Sequence, residues 1–237
     1  MTRKLVQKDC KMSKAKPTKS ATKWAVLGSP RFAAICGILG PALLFGTIGA
    51  AIAVSASWFS WFNYALSDLG NPVMIGGFHG IPGPNPAAPI FNGGVFVAGG
   101  LIMVLGLQLV FIQRREKSLV GMAGGILFTI AMLCLAGVGV FNEVLILGHI
   151  IAAATLFFAT MLASIFYGVA LLRVRTSRPL GGFALVLGII MLVTLVMMFG
   201  QLLPFTGAAI PEMILAVAGF AWVVPLSIQL YLGAGKP

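Results

Sequence analysis

The carboxylate and imidazole repertoire of this chain is small: five Asp and Glu side chains and two histidines in 237 residues. Asp9 and Glu116 stand among lysines and arginines, which leaves Asp68, Glu143 and Glu212, with His79 and His149. A histidine near carboxylates suits general acid–base catalysis or an activated water on a metal ion. Glu143 and His149 form the tightest such pair, in GVFNEVLILGHIIAA. Their spacing is about 9 Å along a regular helix and about 240° around it. Paired ligands on one helix need i, i+3 or i+4 spacing, so any metal would have to be held from different segments, for example by Asp68, His149 and Glu212. Which metal or cofactor, if any, the residues leave open. No glycine-rich phosphate loop, nucleophile elbow or Cys-x-x-Cys pair accompanies them. Cys10, Cys36 and Cys134 are too scattered for a disulfide framework or a thiolate metal site.

Each residue also has a plain structural role to compete with. Glu143 follows Asn142, a good N-cap, and fits the first turn of a helix, where a negative charge complements the dipole. Glu212 follows Pro211 and stands in the same relation to a later helix. Asp68 lies in ALSDLGNP, where Gly70, Asn71 and Pro72 read as a helix stop. An anion at that end is disfavoured, so a hydrogen-bond donor, a histidine or a metal should compensate it. His149 falls inside an apolar run, where an ionisable residue faces the bundle interior as a functional group or is a neutral ring satisfied by a backbone carbonyl. If these residues form one site, the Asp68 carboxylate should lie within about 8 Å of the His149 ring, within reach of direct contact or one bridging water. Asn92 and at least one of Glu143 and Glu212 should line the same pocket.

The elements that would position them are helices. The chain is 59% hydrophobic and 9% charged, too few charges to cover a water-soluble fold. Runs long enough to cross a hydrocarbon core, about 20 helical residues, recur near Phe32 to Ala56, Gly93 to Ile112, Leu119 to Val140, Leu145 to Leu172, Leu180 to Leu203 and Ile210 to Leu232. Peptide groups in lipid must be satisfied within the segment, so the expected fold is all-α, a six-transmembrane-helix bundle.

Nine of the sixteen Lys and Arg precede the first run, and the rest fall in the second and fourth connections and at Lys236. That asymmetry predicts cytoplasmic N- and C-termini in the cell membrane, with Asp68, Glu143, Glu212 and both histidines on the outer side. Residues 1–30 read as a disordered basic tail against anionic lipid, and 31–237 as the transmembrane domain with a long outer loop, 57–92. Membrane lipid is the expected partner. Nucleic acid is not, because no aromatic residue interleaves with the lysines before Trp24. Val54-Ser55-Ala56 faintly resembles a cleavage site, but the run before it is too long for a signal peptide. The long loop opens with Trp58, Phe59, Trp61, Phe62 and Tyr64, read as an aromatic belt at the headgroups, and continues through Pro82, Pro84, Pro86 and Pro89 as an extended strap. Small-residue spacing such as Gly121 with Gly125 permits close helix contact without fixing an oligomeric state.

In combination, Ser67-Asp68-Leu69-Gly70, Phe91-Asn92 before a glycine-rich helix, Gly139-Val140-Phe141 with Glu143 and His149, and Glu212 with Trp222 resemble the domain of unknown function 998 family, six-helix membrane proteins of bacteria and archaea. The resemblance spans roughly Phe32 to Leu232. It departs at Asn142, where the family pattern implies Pro, and at Met213, where it implies Arg, so no ion pair at Glu212 is implied. It supplies a topology and a residue list without a reaction. The resulting candidates are Asp68 and His149 for proton transfer or metal ligation, Glu143 to orient them, and Ser67, Asn92, Glu212 and Trp222 for substrate contact. Two functions fit: an enzyme acting on a lipid or lipid-linked headgroup at the outer leaflet, or a non-catalytic binding or small-molecule transport protein using the same pocket.

Overall fold

The computed structural model describes residues 29–74 and 83–233. His79, Pro82, Lys236 and the basic tail before Ser29 lie outside the described residues, and the reading of that tail as disordered lies there with them. Six apolar segments close their backbone hydrogen bonds as helices: α1 (Pro30–Val54), α2 (Ala88–Arg115), α3 (Leu119–Val140), α4 (Ile146–Leu172), α5 (Arg178–Phe199) and a sixth span divided into α6 (Ala209–Ala221) and α7 (Val223–Gly233). Each span is long and apolar enough to cross a membrane, and the chain is a multi-pass membrane protein. The described residues outside the helices include one short antiparallel pair, β1 (Val73–Met74) against β2 (Gly83–Pro84), with Val73 opposite Pro84.

Several boundaries differ from the sequence reading, each for a local reason. Ser29 caps α1, its hydroxyl accepting from the Phe32 amide at 3.2 Å, and Pro30 takes the first helical position, where its missing N–H costs nothing. The second helix begins at Ala88 with Pro89 in its first turn, so the long connection ends before Asn92. The sixth span breaks at Trp222 because Pro225 cannot donate to the Ala221 carbonyl and its ring crowds that group. Residues Glu143–Leu145 form a 3₁₀ turn, with the Asn142 side chain accepting from the Val144 amide at 3.1 Å. His149 therefore occupies the first turn of α4 and not a point six residues inside a regular helix, so the regular-helix spacing of Glu143 and His149 does not apply.

The helices form a ring in which each packs on the next, and α7 returns to α1 to close it. Between α6 and α1 the contact is through side chains, with Phe45 edge-on to Phe220 at 6.4 Å. The tightest approaches use glycine: a Cβ on Gly99 would lie 2.5 Å from the Ala136 nitrogen, and one on Gly139 would lie 2.5 Å from the Asn92 carbonyl. Phe128, Met132, Met191, Leu105, Leu215 and Trp222 fill the center with essentially no exposure. Alternating spans leave Arg31, Arg114, Arg115, Lys117, Arg173, Arg175 and Arg178 at one end, called here the basic end, and Asp68, Glu143 and Glu212 at the other, the acidic end.

The stretch 55–66 after α1 folds over the acidic end and is tied to the chain before α6. Gly207 donates its amide to the Phe62 carbonyl and Ala209 to the Tyr64 carbonyl, both at 2.8 Å. The aromatic stretch is only partly a belt: Phe62 is 59% exposed, whereas Tyr64 is 6% exposed and packs edge-on against Trp58 at 5.2 Å. Tyr64 thus plugs the bundle end instead of facing lipid headgroups.

Candidate functional site at the acidic end

Three elements converge at the acidic end. The first is the 3₁₀ turn Ser67–Gly70, held from behind by two asparagines. Asn92, at the start of α2, donates its side-chain amide to the Gly70 carbonyl at 2.8 Å. Asn85, 4% exposed, donates to the carbonyls of Leu69 at 3.1 Å and Asn71 at 2.9 Å, and accepts from the Ala87 amide at 3.0 Å. Asp68 is thus in a short turn and not at the end of a long helix. Its Oδ2 accepts from the Ala65 amide at 2.7 Å, which supplies part of the compensation the sequence called for.

The second element is the 3₁₀ turn before α4. Glu143 Oε2 accepts from the Asn71 side chain at 3.3 Å, and its carboxyl lies within hydrogen-bonding reach of Asp68. A second negative charge so close, in a partly buried site, disfavours the ionised form of Asp68. Burial raises the Asp68 carboxyl to about 7, the Glu143 charge adds to the rise, and the Ala65 amide and the nearby His149 oppose it.

The third element is α6. The Glu212 carboxylate does not cap its own helix; Oε2 accepts from the Leu66 amide at 2.7 Å, across 146 residues of sequence. Glu212 also lies near enough to Asp68 and Glu143 for their charges to act on it.

His149 connects this cluster to the interior. Its ring is 7% exposed and Nδ1 lies 2.7 Å from the Phe141 carbonyl oxygen. A carbonyl only accepts, so Nδ1 carries a hydrogen and Nε2 is the ring position left for other partners. The ring lines a cavity of about 70 Å³, bordered at its polar mouth by Ser67, His149 and Glu212. Its walls are apolar, among them Leu44, Val95, Leu156 and Phe220, and they run to Thr160 and Met191 in the middle of their spans.

Asp68, Glu143, His149, Glu212 and Ser67 are thus brought to one place. Asn92 supports the turn and is not among the residues lining the cavity. Trp222 lies apart, ten positions further along the sixth span than Glu212, between the rings of Phe128 at 5.4 Å and Tyr167 at 5.8 Å. Among the described residues no group of three or more His, Cys, Asp and Glu is placed to hold a metal ion. Sequence reasoning missed Asn71 and Asn85. An asparagine between two prolines, Asn85 in PNP, was the available signal, since a polar side chain in so apolar a chain must find partners.

No curated protein and no solved structure matches the chain in sequence or fold searches. A family match does exist, over a stretch that reaches into all six spans and holds every residue of this cluster. By that match, over residues 38–229, the chain belongs to the family described as protein of unknown function DUF998.

Proposed function

We propose that this protein binds the polar end of a membrane lipid or lipid-linked molecule at its acidic end and acts on it by acid–base chemistry. Under the charge asymmetry, that end faces outward and both termini face the cytoplasm. The observation that carries the reading is the convergence of Asp68, Glu143, His149 and Glu212 at the acidic end, beside a small apolar cavity that Ser67, His149 and Glu212 help to line. In this reading Nε2 of His149 takes or gives the proton, since Nδ1 is held by Phe141. Asp68 and Glu143 hold a proton in reserve beside it, and Glu212 and Ser67 meet the substrate. Acid–base chemistry fits these residues better than metal-assisted chemistry, because the acids are engaged by amide donors and do not converge as ligands. The experiment is mass spectrometry of lipid extracts incubated with purified protein, with His149→Ala and Asp68→Asn beside the wild type. Turnover that falls about 10²-fold or more in His149→Ala is the expected result. Unchanged lipid, with none co-purifying, counts against the proposal.

A second reading is binding without catalysis, favored by the engagement of the Asp68 and Glu212 carboxylates in hydrogen bonds from backbone amides. Transport through the bundle has less support: the cavity lining stops at mid-span and includes none of the arginines of the basic end.

A further inference from the structure

The interior cavity of about 70 Å³ has room for about two waters and for no lipid chain. A second hollow lies beside it, a groove of about 410 Å³ between α1 and the sixth span, lined by Pro41, Ala42, Val217 and Ala221 among others. Ala42 and Val217 are exposed, so the groove opens sideways from the bundle. Phe220, 4% exposed, is the one residue that lines both hollows. On α1, Leu44 faces the cavity and Phe45 the groove, where its ring meets Phe220 edge-on at 6.4 Å. Both walls of the groove lack a helical hydrogen bond at this level. Pro41 has no N–H for the Gly37 carbonyl, and Pro225 has none for the Ala221 carbonyl, where α6 gives way to α7. Helices bend at such points. A phenyl with a void on each side also has room to change rotamer that a close-packed side chain lacks.

We infer that the seam between α1 and α6 is a side entrance from the bilayer, with Phe220 as its gate and the acyl chain of a membrane lipid in the groove at its threshold. The inference rests on the lipid-site reading above and supplies its route of access. The occupant follows from depth and lining. Phe220 lies eight residues beyond Glu212, about 12 Å along the helix toward mid-span, where a bilayer offers hydrocarbon and no headgroup. Every residue lining the groove is apolar, and its volume falls in the range of small-molecule sites, about 300–1,000 Å³. With Phe220 turned aside, groove and cavity become one hollow that runs from the lipid face to Ser67, His149 and Glu212.

A thiol introduced by Val95→Cys, at a position 1% exposed in the cavity wall on α2, reports entry. Cys10 and Cys36 are replaced by alanine, and Cys134, which lines a different hollow, stays as the reference. Membranes holding the full chain are treated with N-dodecylmaleimide, which partitions into the bilayer, or with a sulfonated maleimide, which stays in water, and labeling is read by mass spectrometry. Opening the gate by Phe220→Ala or, should that variant not fold, Phe45→Ala should speed N-dodecylmaleimide labeling at position 95 about tenfold or more and leave Cys134 unchanged. Filling the groove by Ala42→Phe, on its exposed side, should slow that labeling. Rates at position 95 that respond to neither change overturn the gate. Faster labeling there by the sulfonated reagent overturns it equally, since the entrance would then lie at the acidic end. The lipid-site reading fails separately. A working gate in a protein that leaves lipid extracts unchanged keeps the entrance and removes the lipid chemistry, whereas lipid turnover indifferent to Ala42→Phe keeps the chemistry and removes the gate.

Discussion

Asp68 and Glu143 illustrate how burial and a neighboring charge become a stability effect. The Asp68 carboxyl holds its proton up to about 7 in the fold, against an ordinary value of 3.8. The folded state therefore binds this proton more tightly than the unfolded chain, and Asp68 removes stability progressively as pH rises from about 4 to about 7. Asp68→Asn keeps an oxygen for the Ala65 amide and cannot ionise. Its thermal midpoint in detergent should vary less across that window than the wild type's and exceed it above pH 7. An identical pH slope in the two proteins would assign the dependence to Glu143, His149 or Glu212, the other titratable groups of the cluster. Glu212 allows a second test. The Leu66 amide that it accepts belongs to a residue 5% exposed, and an unpaired buried amide costs about 1–3 kcal/mol. Glu212→Ala should lose that much stability in denaturation in detergent, and Glu212→Gln much less. The residue types of this cluster were legible in the sequence because acids and histidines are so few. The bond from Glu212 to Leu66 was not, since nothing local ties position 212 to position 66, and Asn142 and Pro211 both pointed to capping instead.

At the scale of elements, the spans were legible because hydrophobic length alone fixes them, whereas their ends depended on chemistry that periodicity does not carry. Gly93 looked like the start of a helix; Pro89 could begin it earlier because a first-turn proline forfeits no hydrogen bond. Two helix ends also use a residue that sequence alone would not choose. Lys117 and Gln201 both have φ of 54°, and each is followed by a residue whose amide bonds back to close the last turn: Ser118 to the Gln113 carbonyl at 3.0 Å, Leu202 to the Met197 carbonyl at 2.9 Å. Glycine is the usual occupant of that left-handed position. Lys117→Gly and Gln201→Gly should each stabilise the fold by about 0.5–1 kcal/mol, read as a raised unfolding midpoint; a lowered midpoint would show that the long side chain matters more than the backbone. Adjacent glycines of α2 give a paired contrast. Gly99 meets the Ala136 backbone, while Gly100 has nothing within 4 Å. Gly99→Leu should force α2 and α3 apart and cost about 3 kcal/mol or more, with Gly100→Leu near neutral.

The whole molecule is polarised, and its orientation is open to direct labeling. If the basic end is cytoplasmic, a cysteine at exposed Asn63 should react with a membrane-impermeant maleimide on intact cells, and one at Lys117 only after permeabilisation. The reverse pattern would invert the protein and turn the acidic cavity toward the cytoplasm. The ring closure has a further consequence, for assembly in time. Helix α1 is inserted first, yet its small-residue face at Gly37 is wedged between Leu105 of α2 and Ser227 of α7. One flank of α1 can be covered as soon as α2 follows it into the bilayer. The other must wait, exposed to lipid and to any helix nearby, until synthesis has passed through α3, α4, α5 and α6. The partly made protein is thus an open chain of helices with an unsatisfied edge. A chaperone or insertase that shields α1 during that interval would speed maturation without touching the finished fold.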